Sequence, residues 1–219
     1  MFIELVDSLR CLVPHEESWL VAASRRMVGR RIADGTLGCP VCRREYPVLD
    51  GVAYFGVPAE EPRAAREATP PVGDDTLRLA ALLGLDSPRG IVVLVGEWAR
   101  LGPSLRELTG VHCLLLDPPG QWGGRDDDGV SVVRAGGVVP LATGSTRGVA
   151  LAAGSGTTVE RTMRGAVRAL ASGGRLVAPA DVPPPKDVAE LARDATQWVA
   201  ERRAAPSAPV TLARARPPR

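Results

Sequence analysis

Cys11 and His15, then Cys39 and Cys42, stand in a C-x3-H … C-x2-C arrangement. Thiolates and a neutral imidazole are the donors that zinc prefers. Two short pairs separated by a longer stretch suit a ribbon, in which two turns each present two ligands to one tetrahedral ion. The second pair is the sharper half: in Gly38-Cys39-Pro40-Val41-Cys42 the thiols have knuckle spacing, and the Arg43 and Arg44 that follow favour the thiolate form. In the first pair Glu16 or Glu17 could compete as an oxygen ligand. His15 could also be a surface residue after Pro14, leaving three thiolates with a carboxylate or water. Cys39 and Cys42 could instead form a redox pair, although such motifs belong beside a βαβ pattern and this one lies between turn signals. The fourth cysteine, Cys113, sits in the apolar run Val111 to Leu116 and reads as a core residue, with His112 beside it as a strand residue.

Residues 1 to 58 carry the elements that would hold this cluster. Phe2 to Leu9 reads as a short helix or turn leading into Cys11. Trp19 to Ala22 and Met27 to Ile32 read as two strands of a hairpin, after which Asp34-Gly35 turns the chain towards the second knuckle. Tyr46 to Phe55 closes the unit with two apolar strands around Asp50-Gly51. So small a unit has a marginal core, and a metal supplies the missing stability. Residues 59 to 74, with three prolines and several charges, read as a linker.

From Asp75 to residue 216 the pattern alternates between helices and strands, which argues for a Rossmann-like, mostly parallel sheet with helices on both faces. Asp75-Thr76 caps a helix that ends at Gly84, and Gly90 to Val95 is a continuous apolar strand. A helix over Ala99 to Thr109 leads to a second strand at Val111 to Leu116. Strands at Val130 to Val133 and Val149 to Ala152 follow, then a helix over Thr157 to Ala171 and a fifth strand at Arg175 to Ala178. Lys186 to Arg203 reads as another helix, and Pro209 to Ala213 as a last edge strand. The fold class expected is therefore α/β, a small N-terminal zinc ribbon followed by this sheet.

The 219 residues have room for one large domain or for one medium domain and a small one. A hydrophobic fraction of 45% with 24% charged residues is that of a globular protein, and the net charge of +2 is too small to imply nucleic acid by itself. Glu4 and Asp7 interrupt the first apolar stretch, which excludes a signal-peptide core there, and no apolar run approaches the roughly 20 residues of a membrane span. A cytoplasmic protein with reduced thiols is the expectation.

Leu9-Arg10-Cys11, Gly35-Thr36-Leu37-Gly38-Cys39-Pro40-Val41-Cys42 and Glu45-Tyr46-Pro47-Val48-Leu49-Asp50-Gly51-Val52 together resemble the small zinc-ribbon family whose members act as activator subunits of tRNA and protein methyltransferases. The family usually has C-P-x-C at the first knuckle, where this chain has Cys11 and His15. Residues 75 to 216 are similar to a class I S-adenosylmethionine-dependent methyltransferase domain in strand order. They are similar also in Val167-Arg168-Ala169-Leu170-Ala171-Ser172-Gly173-Gly174-Arg175-Leu176-Val177, which matches the family's stretch before its fifth strand. That resemblance implies S-adenosylmethionine as cofactor and places Asp117, 21 residues after Gly96, where the ribose-binding acid falls. The other reading of Asp117 is a loop aspartate before Pro118-Pro119.

The first turn departs from this pattern. The family follows its first strand with an acid and G-x-G-x-G, whereas this chain has Leu94-Val95-Gly96-Glu97-Trp98-Ala99-Arg100-Leu101-Gly102. Only Gly96 remains, and Trp98 and Arg100 stand where bare backbone is expected. The expected function is a zinc-binding, non-catalytic methyltransferase-like protein that binds another protein or regulates it. The alternative is an active methyltransferase in which Gly96, Glu97 and Asp117 hold the cofactor in a shifted pose. Nucleic acid, approached through Arg25, Arg26, Arg30, Arg31, Arg43 and Arg44, is the less favoured partner, because no aromatic stacking platform accompanies those arginines. Asp126-Asp127-Asp128 reads as a solvated loop rather than a metal site, and no Ser-His-Asp set or phosphate loop is present.

Overall fold

The computed structural model describes residues 1–58, 73–120, 122, 129–152 and 157–204. A 3-10 turn over Ile3–Ser8 leads into β1 (Val21–Val28), β2 (Arg31–Gly38), β3 (Glu45–Leu49) and β4 (Val52–Tyr54). Then come α1 (Gly73–Leu82), β5 (Ile91–Val95), a 3-10 turn over Gly96–Leu101, α2 (Gly102–Thr109), β6 (His112–Leu116) and β7 (Val130–Arg134). The last elements are β8 (Thr146–Ala150), α3 (Thr157–Ala169), β9 (Leu170–Pro179), β10 (Val188–Arg193) and β11 (Gln197–Arg202).

The eleven strands among the described residues form one sheet, in the order β1-β2-β3-β4-β7-β6-β5-β8-β9-β11-β10. Its centre is parallel: β4, β7, β6, β5, β8 and β9 pair in parallel with their neighbours, while β1 to β4 and β9-β11-β10 are antiparallel. Numbered from β5 onward, the parallel strands lie in the order 3-2-1-4-5, that of a doubly wound nucleotide-binding sheet. The expected α/β class is what the strands form, and the N-terminal hairpins extend the same sheet through β4 and β7.

The apolar runs of the central strands follow from burial on both faces. Val92, Leu94, Cys113, Leu115, Val130 and Val132 face one core, with Leu79 of α1, Leu83 just beyond it and Leu105 of α2 packed on them. Val93, Leu114, Leu116, Val133 and Val149 face the other, with Met163 and Val167 of α3. The short connection from β6 to β7 leaves part of this second face without a crossover helix among the described residues, and the N-terminal turn fills it. Met1, Leu5 and Leu9 join that core, the Phe2 amide donates to Ser131 Oγ at 3.0 Å, and the Phe2 ring meets His112 edge-on at 5.7 Å. The first residues of the chain thus complete the core of the parallel sheet.

Three expectations change. Asp34-Gly35 is not a turn: both residues lie inside β2, and the reversal is at Gly29-Arg30. Gly35 is needed there because a β-bulge in β1 brings Ala23 O within 2.5 Å of where a Cβ would stand. Lys186 to Arg203 is not a helix but the hairpin β10–β11. Its Ala, Leu, Glu and Arg content favours a helix, but Asp194 Oδ1 accepts from the Thr196 and Gln197 amides and folds the chain back. The exposed backbone of β9 is then satisfied by β11, and Trp198 becomes fully buried. The fifth strand is also longer than its sequence signal, because the helix ends at Ala169 and Gly173-Gly174 lie within β9. Of the linker expected over 59–74, residues 73 and 74 instead open α1, and 59–72 lie outside the described residues, as do Asp126-Asp127-Asp128 and Pro209 to Ala213.

Asp50-Gly51 is the turn expected of it: both residues have positive φ, 47° and 79°, the pair that a two-residue type I′ hairpin requires.

Candidate metal centre and the nucleotide switch point

Cys11 follows the short bridged segment Leu9-Arg10, His15 lies in the bend beyond it, Cys39 directly follows β2, and Cys42 lies in the turn before β3. The ligand atoms of all four lie within 4.8 Å of one another. Cys11 Sγ and Cys42 Sγ are 3.5 Å apart, and Cys39 Sγ and His15 Nε2 are 3.4 Å apart. A disulfide would need about 2.05 Å. Donors at about 2.3 Å for sulfur and 2.0 Å for nitrogen around one tetrahedral ion stand roughly 3.5–3.8 Å from each other, and these two separations are close to such edges. All four cysteines of the chain are free thiols.

The supporting contacts fit a metal. His15 Nδ1 lies 2.5 Å from Glu16 O, and donation there leaves the Nε2 lone pair facing Cys39. The knuckle is closed by the Arg43 amide donating to Cys39 O and the Cys39 amide donating to Arg44 O, each at 2.9 Å. Tyr46 is the residue the spacing argument did not single out. Its hydroxyl lies 3.2 Å from Cys11 Sγ and accepts from the Leu12 amide at 2.9 Å, and its ring stacks on Phe55 at 4.5 Å. The signal available was its position on β3, one turn beyond the knuckle.

Burial pushes the Cys11 thiol up, but hydrogen bonds from Tyr46, the Val13 amide and the two neighbouring cysteines outweigh it and hold the pKa below the ordinary thiol value. At Cys42 the Arg44 amide pulls the pKa down, while burial and the hydrogen bonds to Cys11 and Cys39 raise it more. The help from Arg44 is therefore a backbone contact rather than the guanidinium effect expected from the sequence. Tyr46 is pushed up to about 12 by burial and by Cys11.

Neither glutamate joins the cluster. Glu17 ties it to the parallel sheet instead: its carboxylate accepts from Arg10 at 3.0 Å and from the Thr143 amide and hydroxyl at 3.1 and 2.9 Å, with Arg168 at 3.6 Å. Burial, reinforced by Arg10, holds the Arg168 pKa down to about 10.

The second candidate site lies where the strand order reverses, between the carboxyl ends of β5 and β8, the crevice in which doubly wound sheets bind nucleotides. Gly96 opens the turn with φ 61°, and a Cβ there would stand 3.2 Å from Ala152 Cβ. Glu97 points to solvent. Trp98 crosses the crevice: its Nε1 donates to Leu151 O, just beyond β8, at 3.1 Å, and its ring packs on the core beneath α1 and α2. Arg100 is directed elsewhere, to Asp75 at 3.0 Å. Asp117, at φ 49°, has both carboxylate oxygens occupied: Oδ1 accepts from the Ala135 and Gly136 amides at 2.7 and 3.2 Å, and Oδ2 from Gly137 at 2.7 Å. It anchors the loop after β7.

Fold and cluster together define a Rossmann-ordered α/β chain with an N-terminal Cys3His constellation able to hold a metal ion. No family model matches the sequence, and no curated protein matches it. Among solved structures it is similar to a point mutant of MtNAS (TM-score 0.42, 16% identity, covering 59% of this chain and 60% of that one). It is also similar to a SAM-dependent methyltransferase from Thermotoga maritima (TM-score 0.31, 21% identity, covering 47% and 50%). The chain thus spans 60% and 50% of the length of these two structures. Among the described residues no helix is long and apolar enough to cross a membrane.

Proposed function

We propose that this chain is a zinc-binding, methyltransferase-like protein that performs no methyl transfer and serves as a protein-binding or regulatory module. The observation that carries this reading is the Trp98 indole, hydrogen-bonded to Leu151 O across the switch-point crevice. A nucleoside bound there needs bare backbone and a free acid for its ribose. The indole takes the first space, and Asp117 gives its oxygens to three amides of its own chain.

Zinc is the ion that suits three thiolates and one imidazole, and it would cross-link two turns as a structural element. Four protein donors fill the tetrahedron and leave no open position for a water or substrate. Cys11, His15, Cys39 and Cys42 would hold it, with Tyr46 and Glu16 O orienting the first two. A protein partner is favoured over nucleic acid because three of the six basic residues of the hairpins are engaged internally and no aromatic stacking platform accompanies the others. Arg26 pairs with Asp34, Arg30 pairs with Glu4, and the Arg31 guanidinium lies 5.9 Å from the Phe2 ring.

Isothermal titration of the zinc-loaded protein with S-adenosylmethionine tests the reading. The expected result is no binding tighter than about 10 μM, which corresponds to roughly 7 kcal/mol. Tighter binding would establish the alternative, an active methyltransferase using Gly96, Glu97 and Asp117 in a shifted pose.

A further inference from the structure

Cys42 is the exposed member of the metal cluster, whereas Cys11 and Cys39 are only 6% and 3% exposed. Its Sγ faces Cys11 Sγ at 3.5 Å, while Cys39 Sγ is turned to His15 Nε2 at 3.4 Å. A disulfide needs about 2.05 Å, so Cys11 and Cys42 are roughly 1.5 Å of movement from one. A thiol that ligates a metal is deprotonated outright, so exposure decides which sulfur a solute reaches first, and that sulfur is Cys42. The C-x2-C spacing points instead to Cys39 with Cys42, but a bond there would close a short loop within the knuckle and leave Cys11 unjoined. A bond from Cys42 to Cys11 spans 31 residues and ties the segment after Leu9-Arg10 to the knuckle, the same two turns that a metal would hold together.

We propose that Cys42 and Cys11 are a redox-responsive pair: a hydroperoxide oxidises Cys42, Cys11 closes a disulfide onto it, and the metal-ligand set is dismantled. The proposal rests on the reading of the four residues as metal ligands for its regulatory sense. In the first step one oxygen of the peroxide bonds to Cys42 Sγ, the O–O bond breaks, and the other oxygen leaves as hydroxide. In the second, Cys11 Sγ attacks Cys42 Sγ, the S–O bond breaks, and that oxygen leaves as a second hydroxide. Two electrons pass from the two sulfurs to the peroxide, and a thiol reductant reverses the change through a mixed disulfide. Cys39 and His15 alone do not make a tetrahedral site, so oxidation releases the metal and frees the His15 segment. Glu17, two residues beyond His15, accepts from the Thr143 amide and hydroxyl, which places the effect of oxidation at the junction with the parallel sheet.

The test treats the full, zinc-loaded chain with hydrogen peroxide and reads three quantities: thiols titrated after denaturation, the disulfide located by peptide mass spectrometry, and zinc captured by a chromogenic chelator. The four free thiols fall to two, the linkage is Cys11 to Cys42 with Cys39 and Cys113 still reduced, zinc is released in step, and dithiothreitol restores all four. Dimedone added with the peroxide labels Cys42 rather than Cys11 or Cys39. A Cys39 to Cys42 or Cys11 to Cys39 linkage, a bond between the Cys42 residues of two chains, or irreversible oxidation of Cys42 without a disulfide overturns the proposal. A zinc-loaded chain that keeps its four thiols under excess peroxide also overturns it and leaves the metal reading standing. The Cys11 to Cys42 bond forming in a chain that metal analysis shows to be free of zinc supports the pair and removes the metal reading, so the two fail separately.

Discussion

The two ends of this molecule treat their turns in opposite ways. At the N-terminal end, residues from two distant turns converge until four ligand atoms lie within 4.8 Å, and neighbouring groups, Tyr46 Oη and Glu16 O, hold them in place. At the switch point the backbone framework persists, with Gly96 at positive φ and Asp117 at the end of β6, yet the side chains are turned to internal uses. Trp98 bridges β5 to β8, Arg100 pairs with α1, and Asp117 pins the loop after β7. Strand order and a turn glycine are demands of the sheet, so they persist whether or not a ligand is bound. Chemistry is legible only in where the side chains point.

The comparison breaks most severely at the cluster. Cys39→Ser removes a ligand, and structural zinc contributes on the order of 10 kcal/mol to small zinc-binding peptides. Residues 1–58 share a core with Leu114, Leu116 and Val133, so the loss is expected to reach past the hairpins and lower the melting temperature of the whole chain. Zinc content by metal analysis and a circular-dichroism melt measure both consequences. A variant that loses zinc but melts like the parent would show that the two regions fold independently.

Trp98→Ala should cost about 2–3 kcal/mol, less than a fully buried tryptophan because the residue is only partly buried. It also leaves Leu151 O without its indole donor. For a chain of this size that is a fall of roughly 5–10 °C. If the indole were a lid over a working cofactor site instead, the substitution would leave stability unchanged and alter S-adenosylmethionine affinity.

Glu17→Gln probes the junction between the regions and should cost about 1–2 kcal/mol, reduced by partial exposure. Burial raises the Glu17 carboxyl, but the Thr143 and Arg10 contacts outweigh it and hold its pKa below the ordinary value. Its contribution is therefore present above the unfolded pKa and is lost as pH falls through the folded one. Parent and variant should converge in denaturant midpoint at acid pH. A constant difference from neutral to acid pH would mean that the charge of Glu17 is irrelevant.

The smallest effect expected is at Cys113, whose thiol burial pushes up to about 12. A folded pKa above the unfolded one stabilises the protonated form, so this contribution is lost as pH rises from about 9 towards 12. At neutral pH Cys113 should resist iodoacetamide until the chain unfolds. Labelling in the native state would place β6 nearer solvent than its packing indicates.

What the sequence disclosed and what it concealed divide along local and non-local lines. The clustering of Cys11, His15, Cys39 and Cys42 was legible because knuckle spacing is local, and β5 and β6 were legible because strands buried on both faces are apolar throughout. The hairpin β10–β11 was hidden: its residues favour a helix in isolation, and only the open edge of β9 and the Asp194 turn make it a strand pair. The roles of Asp117 and Trp98 were hidden for a related reason, since their partners, Ala135 to Gly137 and Leu151, lie 18 or more residues away.

Differential scanning calorimetry of one preparation, melted alone, with a zinc chelator and with S-adenosylmethionine, compares the two sites in the same units. A ligand present at 100 times its dissociation constant stabilises by about 2.7 kcal/mol, a rise of roughly 5–10 °C for a chain of this length. The account predicts that the chelator lowers the melting temperature by far more than that, and that millimolar S-adenosylmethionine leaves it unchanged. A melt indifferent to the chelator and raised by S-adenosylmethionine would contradict it.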